Sequence, residues 1–344
     1  MAGGIERAAA AKETAAGRDY QMNSATAVAV VIPTYNRATL LRETLWSVMS
    51  QTVMPAEVVV VDDGSTDGTP DVVREFEGAG PVVTCLRFPH SNRRGPLRNA
   101  GVAASTSPLV TFLDSDDLWQ PTRIERQLEE WARAPDAGFA FCNAYRFDEG
   151  GLIESPCLPL TAQWNGYILG DVLEEPVAGG STLMVKREAF ERVGGFRDLR
   201  MNEDYELTLR LAARYKASYV PEPLVLVREH AGRTTLAGRE TPMLDYLRIV
   251  GGFLAANPGI TNRVRARARV GMANVHYKLA RLYLAVGDRA AARRHLWAMS
   301  RLKPLDRRAP AAWFQALAPT ASGRPSKATA LHGEQSEGRP RTRG

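Results

Sequence analysis

Three carboxylates stand within four positions at Asp114, Asp116 and Asp117, directly after the apolar run 108–113. The run is short, apolar and ends in polar residues, which predicts a buried strand. Clustered acids at a strand end need solvent, hydrogen bonds or a cation, because concentrated negative charge is costly to bury. Such oxygen ligands suit Mg²⁺ or Mn²⁺ that carries a phosphate. Two interpretations stay open at this point, a metal site and a solvated turn that caps the next helix.

The loops after two other apolar runs, 27–32 and 57–61, carry an aromatic ring, polar groups and acids. Their notable members are Pro33, Tyr35, Asn36, Arg37 and Asp63. Ligands bind beyond the carboxyl ends of parallel strands, so these loops could share one site with the acids. A base could pack against Tyr35 and donate to Asp63, while the acids hold ribose and a metal on a diphosphate. The alternative for 62–69 is an Asx turn that caps a helix.

Strand-like and helix-like segments alternate through the first half of the chain. Apolar strand runs cover 27–32, 57–61, 82–86, 109–113 and 139–142, and helical spacing lies between them. This rhythm predicts an α/β fold with a mainly parallel central sheet and helices on both faces. Later segments predict strands at 181–185, 219–220 and 224–227, a helix at 203–214, and only helices from 241 onward.

The phosphate-binding glycine motifs are missing from the strand ends. Neither a G-x-G-x-x-G nor a G-x-x-x-x-G-K spacing follows a strand, which argues against dehydrogenases and P-loop NTPases. A nucleotidyltransferase, which also uses metal-holding acids on an α/β sheet, would need a basic, glycine-rich loop after the first strand. The sequence there is Pro33-Thr34-Tyr35-Asn36, so this alternative is disfavoured.

Charge is divided unevenly along the chain. The net charge is +6, yet residues 262–308 hold 13 Lys or Arg and 2 Asp or Glu, and residues 321–344 hold 5 and 2, which leaves the first 261 residues at −8. Such an appendage can touch a membrane surface, an acidic partner or only water, whereas a nucleic-acid binder would spread its basic residues over a folded face. We therefore expect no nucleic-acid partner, and we keep peripheral membrane association through these helices as one interpretation.

Cysteine usage and hydropathy indicate the compartment. Three cysteines at wide spacings predict neither zinc nor a disulfide framework and favour a reducing compartment. No run approaches the ~20 apolar residues of a membrane span. Residues 1–25 lack an apolar signal region and predict a disordered leader, and 319–344 predict a disordered basic tail. We expect a cytoplasmic protein, at most at the inner face of the membrane.

Several motifs occur in a fixed order between residues 27 and 235. They are VIPTYNR (31–37), VDDGSTD (61–67), RNAG (98–101), FLDSDD (112–117), GGF (194–196), EDYEL (203–207) and REH (228–230). In order and spacing this set resembles the family 2 glycosyltransferases of GT-A fold. The resemblance implies a GT-A domain at 26–240, followed by a helical C-terminal region at 241–318. Residues 280–292 resemble a single tetratricopeptide-like hairpin within that region.

The resemblance also implies a nucleotide-diphosphate sugar donor, namely a UDP-, GDP- or TDP-sugar, and a divalent metal, Mn²⁺ or Mg²⁺. It assigns donor binding to Pro33, Tyr35, Asn36, Arg37, Asp63, Arg98, Asp114, Ser115, Asp116 and Arg228. It assigns metal binding to Asp116, Asp117 and His230. The alternative for His230 is a surface loop histidine. A cation of this kind would balance the charge that develops on the leaving diphosphate.

Inversion needs a base that deprotonates the acceptor hydroxyl. The family match places it at Asp204, with Glu203 orienting the acceptor or the base. Acids at a helix start also favour the positive end of the helix dipole, which is the alternative without catalysis. The expected function is inverting, metal-dependent sugar transfer to a hydroxyl acceptor, such as a glycan, a lipid-linked sugar or a small molecule, in polysaccharide or glycoconjugate synthesis. A catalytically inactive nucleotide-sugar-binding scaffold is the remaining alternative.

Overall fold

The computed structural model describes residues 26–78, 80–153, 156–230 and 240–318. The predicted leader at 1–25 and the predicted tail at 319–344 lie outside the described residues. The chain divides into two compact units, one that ends at Arg267 and one that begins at Ala268. Each unit is described by itself.

The first unit is an α/β domain. Its described strands are β1 (Val28–Thr34), β2 (Glu57–Asp62), β3 (Val82–Arg87), β4 (Leu109–Phe112), β5 (Leu118–Trp119), β6 (Ala137–Asp148), β7 (Gly151–Leu152), β8 (Leu183–Lys186) and β9 (Lys216–Arg228). Its described helices are α1 (Ala38–Met49), α2 (Thr69–Arg74), α3 (Arg94–Ala103), α4 (Arg123–Arg133), α5 (Leu169–Glu174), α6 (Arg187–Arg192), α7 (Glu203–Ala212), α8 (Thr241–Ala256) and the first turns of α9 (Asn262–Ala285). A 3₁₀ turn, Gly180–Thr182, precedes β8.

The described strands form one sheet in the order β3-β2-β1-β4-β8-β6-β9-β5, with β7 paired to β6. Strands β1 to β4 run parallel, β8 is antiparallel to both of its neighbours, and β6 and β9 are parallel. The predicted α/β class is therefore confirmed. In this register Thr34 stands beside Asp62 and Val31 beside Phe112, so the loops after β1, β2 and β4 meet at one sheet edge.

Helices cover the sheet with closely fitted side chains. Val30 and Ile32 of β1 lie in one buried cluster with Leu41 and Leu45 of α1. On another helix, α3, a Cβ at Gly101 would lie 2.4 Å from a β1 side-chain carbon, so only glycine allows this approach of helix and strand. This close fit fixes the position of α3, and with it the buried Arg98, which α3 directs toward the sheet edge.

Strand β9 differs from the prediction of two late strands at 219–220 and 224–227. The structure has one strand, Lys216–Arg228, whose register against β6 shifts between Cys142 and Asn143. Pro223, the partner of Asn143, lies at this irregularity, and proline is tolerated in a sheet at such points because it cannot donate to the ladder. Proline therefore divided the apolar pattern without ending the strand.

The second unit is helical. It contains the rest of α9, α10 (Arg289–Leu302) and α11 (Ala309–Leu317). Gly287, at φ 85°, makes the left-handed turn between α9 and α10, and Asp288 caps α10 by accepting from Ala291 N at 2.9 Å. Among the described residues, no helix is long and apolar enough to span a membrane. The division into segments at 26–240 and 241–318 stays a prediction, and in the structure α8 packs within the first unit, where the Tyr246 hydroxyl donates to Leu173 O.

Candidate functional site

A polar cleft of about 620 Å³ opens at the carboxyl ends of β1, β2 and β4 and reaches the start of α7. Most of the predicted site residues line it. They are Pro33, Tyr35, Asn36, Arg37, Asp63, Arg98, Asp114, Ser115, Asp116, Asp117, Glu203, Asp204 and His230. Arg228 lies behind the acid loop, where its guanidinium bonds to Asp116 O and to Glu43. The structure therefore brings together residues that are up to 197 positions apart, such as Pro33 and His230.

The acid triad, Asp114, Asp116 and Asp117, is compact enough for one cation. One carboxylate oxygen of each acid lies within 4.8 Å of the other two. Asp116 pairs with Arg37 Nη1 at 2.7 Å and with His230 Nε2 at 3.0 Å. The donor set of carboxylates with a nearby imidazole fits Mn²⁺ or Mg²⁺.

Asp117 is the member of the triad whose charge is least compensated. Burial, together with the charges of Asp114 and Asp116, raises its pKa to about 8. Its carboxylate accepts from Ser181 Oγ at 2.6 Å and from Arg228 N at 3.1 Å. The neighbouring acids favour the protonated form of this carboxyl, and a bound cation would favour its ionised form instead. The raised pKa of Asp117 therefore supports a cation site.

Arg98 connects the acid triad to helix α7. Its side chain is 2% exposed, and it donates from Nη1 to Glu203 Oε1 at 2.6 Å and from Nη2 to Asp114 Oδ1 at 2.5 Å. Burial alone would raise the pKa of Asp114, but the charges of Arg98 and Arg94 outweigh it and the pKa is lowered. Asp114 is thus held as a carboxylate, and Arg98 pairs with acids from two separate segments of the cleft.

Asp204 lies at the first turn of α7 and lines the cleft. Its Oδ2 accepts from Gly180 N at 2.9 Å and its Oδ1 from Tyr205 N at 2.8 Å. Burial and the neighbouring Glu203 charge raise the pKa of Asp204. A carboxylate with a raised pKa is a stronger proton acceptor, which is what a general base requires.

The end of the cleft at β1 and β2 contains contacts that the sequence motifs did not predict. Tyr35 stacks on His90, with ring centroids 3.8 Å apart. The carboxylate of Asp63 accepts from Ser91 N at 2.8 Å, Ser91 Oγ at 2.9 Å and Asn92 N at 2.8 Å. The loop 88–92 therefore holds Asp63 from one side. No motif marked this loop, because the contact joins residues almost thirty positions apart.

The loop 62–69 forms a turn with some of its acids and lines the cleft with another. Asp62 Oδ1 accepts from Ser65 N at 2.9 Å, which is an Asx-type turn, and Asp67 Oδ1 accepts from Thr69 N at the start of α2. Asp63, between them, lines the cleft instead. Capping and site formation therefore use separate acids of one loop.

Ser181 is a further site residue that the sequence did not single out. Its hydroxyl donates to Asp117 Oδ2 at 2.6 Å and accepts from Asp114 N at 3.1 Å. Its neighbour Gly180 donates to Asp204, so two adjacent residues contact both the acid triad and the proposed base. The sequence offered only the Gly-Gly-Ser run at 179–181.

The backbone around the cleft is strained at three asparagines. Among the described residues other than glycine, positive φ occurs at Asn36 (48°), Asn92 (54°) and Asn202 (58°). All three line the cleft, at the ends of the loops that surround it. Left-handed backbone outside glycine is uncommon and concentrates at functional sites. This clustering supports the same location for the site, independently of the charges.

The family model for glycosyl transferase family 2 matches residues 29–194, the segment that contains β1, β2, β4 and the acid triad. This segment, just under half of the chain, matches glycosyl transferase family 2. An uncharacterized glycosyltransferase of Nostoc is 39% identical over 102 residues, 30% of this chain and 32% of that protein. The succinoglycan biosynthesis protein ExoU of Rhizobium meliloti is 31% identical over 204 residues, 56% of this chain and 59% of ExoU. The chain thus spans less than two thirds of either relative.

Solved structures show that this chain has the GT-A fold. TarS 1-349 of S. aureus, in complex with UDP-GlcNAc, superposes with a TM-score of 0.64 at 17% identity, covering 84% of this chain and 87% of TarS 1-349. The mannosyltransferase PcManGT of Pyrobaculum calidifontis, in complex with GDP-Man and Mn²⁺, gives a TM-score of 0.56 at 21% identity, covering 89% and 85%. The fold expected from the sequence motifs is confirmed.

Proposed function

We propose that this chain is an inverting, metal-dependent glycosyltransferase that moves a sugar from a nucleotide-diphosphate donor to an acceptor hydroxyl in polysaccharide or glycoconjugate synthesis. The observation that carries the proposal is the arrangement of Asp204 and the acid triad in one cleft, joined by Arg98. The complexes of TarS with UDP-GlcNAc and of PcManGT with GDP-Man and Mn²⁺ support a nucleotide-sugar donor, and the name of ExoU supports polysaccharide synthesis.

The donor end lies at the ends of β1, β2 and β4. Tyr35 is 39% exposed, so its ring can pack against a base, and the buried Asp63 is fixed at the same edge. Asp116, Asp117 and His230 would hold the divalent cation, which would supply positive charge to the leaving nucleoside diphosphate. Arg37, which pairs with Asp116, lies where its guanidinium can also meet a diphosphate.

The acceptor end lies at the start of α7. Asp204 takes the proton of the acceptor hydroxyl as the hydroxyl oxygen bonds to the anomeric carbon and the bond from that carbon to the diphosphate oxygen breaks. This single displacement inverts the anomeric centre. Glu203, held by Arg98 and Arg94, fixes the first turn of the helix that carries the base. Gly180 N and Tyr205 N hold the Asp204 carboxylate in place.

A panel of UDP-, GDP- and TDP-sugars, each with and without Mn²⁺, tests donor binding by thermal shift. We expect one nucleotide class to raise Tm more with Mn²⁺ than without it, because a ligand that binds only the folded state stabilises it. Incubation with that donor and hydroxyl acceptors should then release nucleoside diphosphate and give a product of inverted configuration by NMR. Release of pyrophosphate would indicate a nucleotidyltransferase, and binding without turnover would indicate a scaffold; either result contradicts the proposal.

We also propose a reducing compartment, such as the cytoplasm, for this chain. Cys85, Cys142 and Cys157 all lie within the described ranges, and none forms a disulfide. Reducing compartments keep cysteines as free thiols. The fold described above uses none of these three cysteines in a disulfide.

A further inference from the structure

Helix α10 exposes an aromatic and basic stripe. Trp297 is 57% exposed, although tryptophan is usually buried. Arg294 and Arg301 are exposed at three and four positions from it, which places all three side chains on one face of the helix. The guanidinium of Arg301 lies 4.6 Å from the centre of the Trp297 ring. The opposite face, with Leu296 buried, belongs to the core of the second unit, so the stripe itself has no apolar partner among the described residues.

Helix α11 adds a second apolar group to this side of the unit. Phe314 is 77% exposed and Leu317 is 66% exposed, three positions apart on one face. Arg293 Nη1 of α10 donates to Ala316 O of α11 at 3.2 Å. Arg293 lies one turn before Trp297 on its helix, so this hydrogen bond places the α10 turn before Trp297 beside the α11 turn that carries Phe314 and Leu317. We call Arg294, Trp297, Arg301, Phe314 and Leu317 the basic aromatic face.

The charge around this face is strongly positive. Residues 268–318 contain ten Lys or Arg and two Asp or Glu, and neither α10 nor α11 contains an acid. Both acids are engaged elsewhere. Asp306 pairs with Arg308 and Lys303, and Asp288 caps α10. Nothing negative in the described part of this unit is therefore available to neutralise the arginines of the face.

We propose that the basic aromatic face binds an anionic lipid surface. Tryptophan and phenylalanine insert at the boundary between headgroups and acyl chains, while arginines contact lipid phosphates. An exposed Trp between two arginines supplies both interactions from one helix. This inference concerns the second unit and does not rest on the proposed sugar transfer.

Vesicle co-sedimentation with the full chain tests the proposal. We expect binding to phosphatidylcholine vesicles that contain about 30 mol% phosphatidylglycerol, little binding to pure phosphatidylcholine, and weaker binding as salt rises, since salt screens the attraction. The double variant Trp297→Ala, Phe314→Ala should lose about tenfold in vesicle affinity, because it removes both inserting rings. Arg294→Gln with Arg301→Gln should lose the preference for the anionic lipid.

Two controls separate this surface from others. Trp46→Ala removes an exposed tryptophan of the first unit, at 61% exposure, and should leave vesicle binding unchanged. Circular dichroism checks that every variant is folded, and light scattering gives the oligomeric state. Equal vesicle binding by the Trp297 and Phe314 double variant would overturn the proposal. So would a dimer in solution that this double variant converts to monomer, because the face would then be an interface between two copies.

Discussion

The substitution Asp204→Asn tests the proposed base most directly. Each oxygen of the Asp204 carboxylate accepts from one backbone N–H, Gly180 N at 2.9 Å and Tyr205 N at 2.8 Å. An asparagine amide has a single oxygen, so in either orientation its NH₂ group faces one of these donors. The variant therefore loses a hydrogen bond as well as the proton acceptor.

Two magnitudes follow for this variant. Loss of a positioned base lowers kcat by about 10²–10⁴-fold. One unpaired backbone donor costs about 1–3 kcal/mol of unfolding free energy, at the low end here because Asp204 is only half-buried. In a chain of this size that cost lowers Tm by about 2–4 °C per kcal/mol. Donor affinity should stay within about twofold, since the proposed mechanism places Asp204 on the acceptor side.

The assay combines nucleoside diphosphate release, donor binding by calorimetry and thermal unfolding. Asp171→Asn is the matched control, because Asp171 is a half-buried acid of the same unit that pairs with Arg267 and does not line the cleft. The control should keep full activity. Activity of Asp204→Asn equal to that of the unmodified chain would refute Asp204 as the base.

The pH dependence of kcat/KM gives the same residue a second test. Only the deprotonated carboxylate can accept a proton, so activity should fall as pH decreases through the pKa of Asp204. Burial and the Glu203 charge raise that pKa, so the fall should begin above the usual Asp value of about 3.9. A profile that stays flat down to that ordinary value would contradict the raised pKa, and with it the assignment.

Three further substitutions test the neighbouring contacts. Ser181→Ala removes the hydroxyl bonded to Asp117 and should weaken Mn²⁺-dependent binding of the nucleotide by about tenfold in calorimetry, or about 1.4 kcal/mol. Arg98→Met leaves acids on both sides of the cleft without their cation and should cost about 3–5 kcal/mol in urea unfolding. Gly101→Ala forces a Cβ against β1 and should cost about 1–3 kcal/mol, whereas Gly68→Ala, whose nearest atom would lie 3.9 Å away, should change stability by less than about 0.5 kcal/mol. Wild-type behaviour of Ser181→Ala or Arg98→Met would show that the contact in question is dispensable.

The sequence predicted what depends on local pattern. Apolar runs that end in polar loops located β1, β2 and β4, and the parallel register then brings their loops together. The motif at Glu203 and Asp204 predicted a helix start beside the site, where the structure has the first turn of α7. These predictions succeeded because strand ends and helix starts carry their own residue preferences.

What the sequence did not predict depends on contacts between distant segments. Loop 88–92 has no motif, yet its backbone holds Asp63. In the sequence Ser181 is only a small residue after two glycines. The antiparallel placement of β8 beside β4 brings its hydroxyl into contact with Asp114 and Asp117 of the triad. The same limit applied to β9, where two prolines interrupted the apolar pattern although the pairing with β6 continues through a bulge.

The charges of the cleft divide its acids into two groups. Asp116 is paired by Arg37 and His230, and Asp114 shares Arg98 with Glu203. These pairs connect the loop after β4 to the loop after β1 and to helix α7. Their first effect is therefore to hold these segments in position.

Asp117 and Asp204 form the second group. Within the described ranges both accept hydrogen bonds from neutral donors, and neither forms an ion pair. Burial raises the pKa of both carboxyls for this reason. A carboxyl that is buried or half-buried and has no paired cation gains the most from binding a cation or a proton. Under the proposed mechanism those are the two events that sugar transfer requires, a cation at the leaving diphosphate and a proton taken from the acceptor. The buried Arg98 pairs with Asp114 and Glu203, the acids that stand close in sequence to Asp117 and Asp204, and so ties the two segments that carry the uncompensated acids to one cleft.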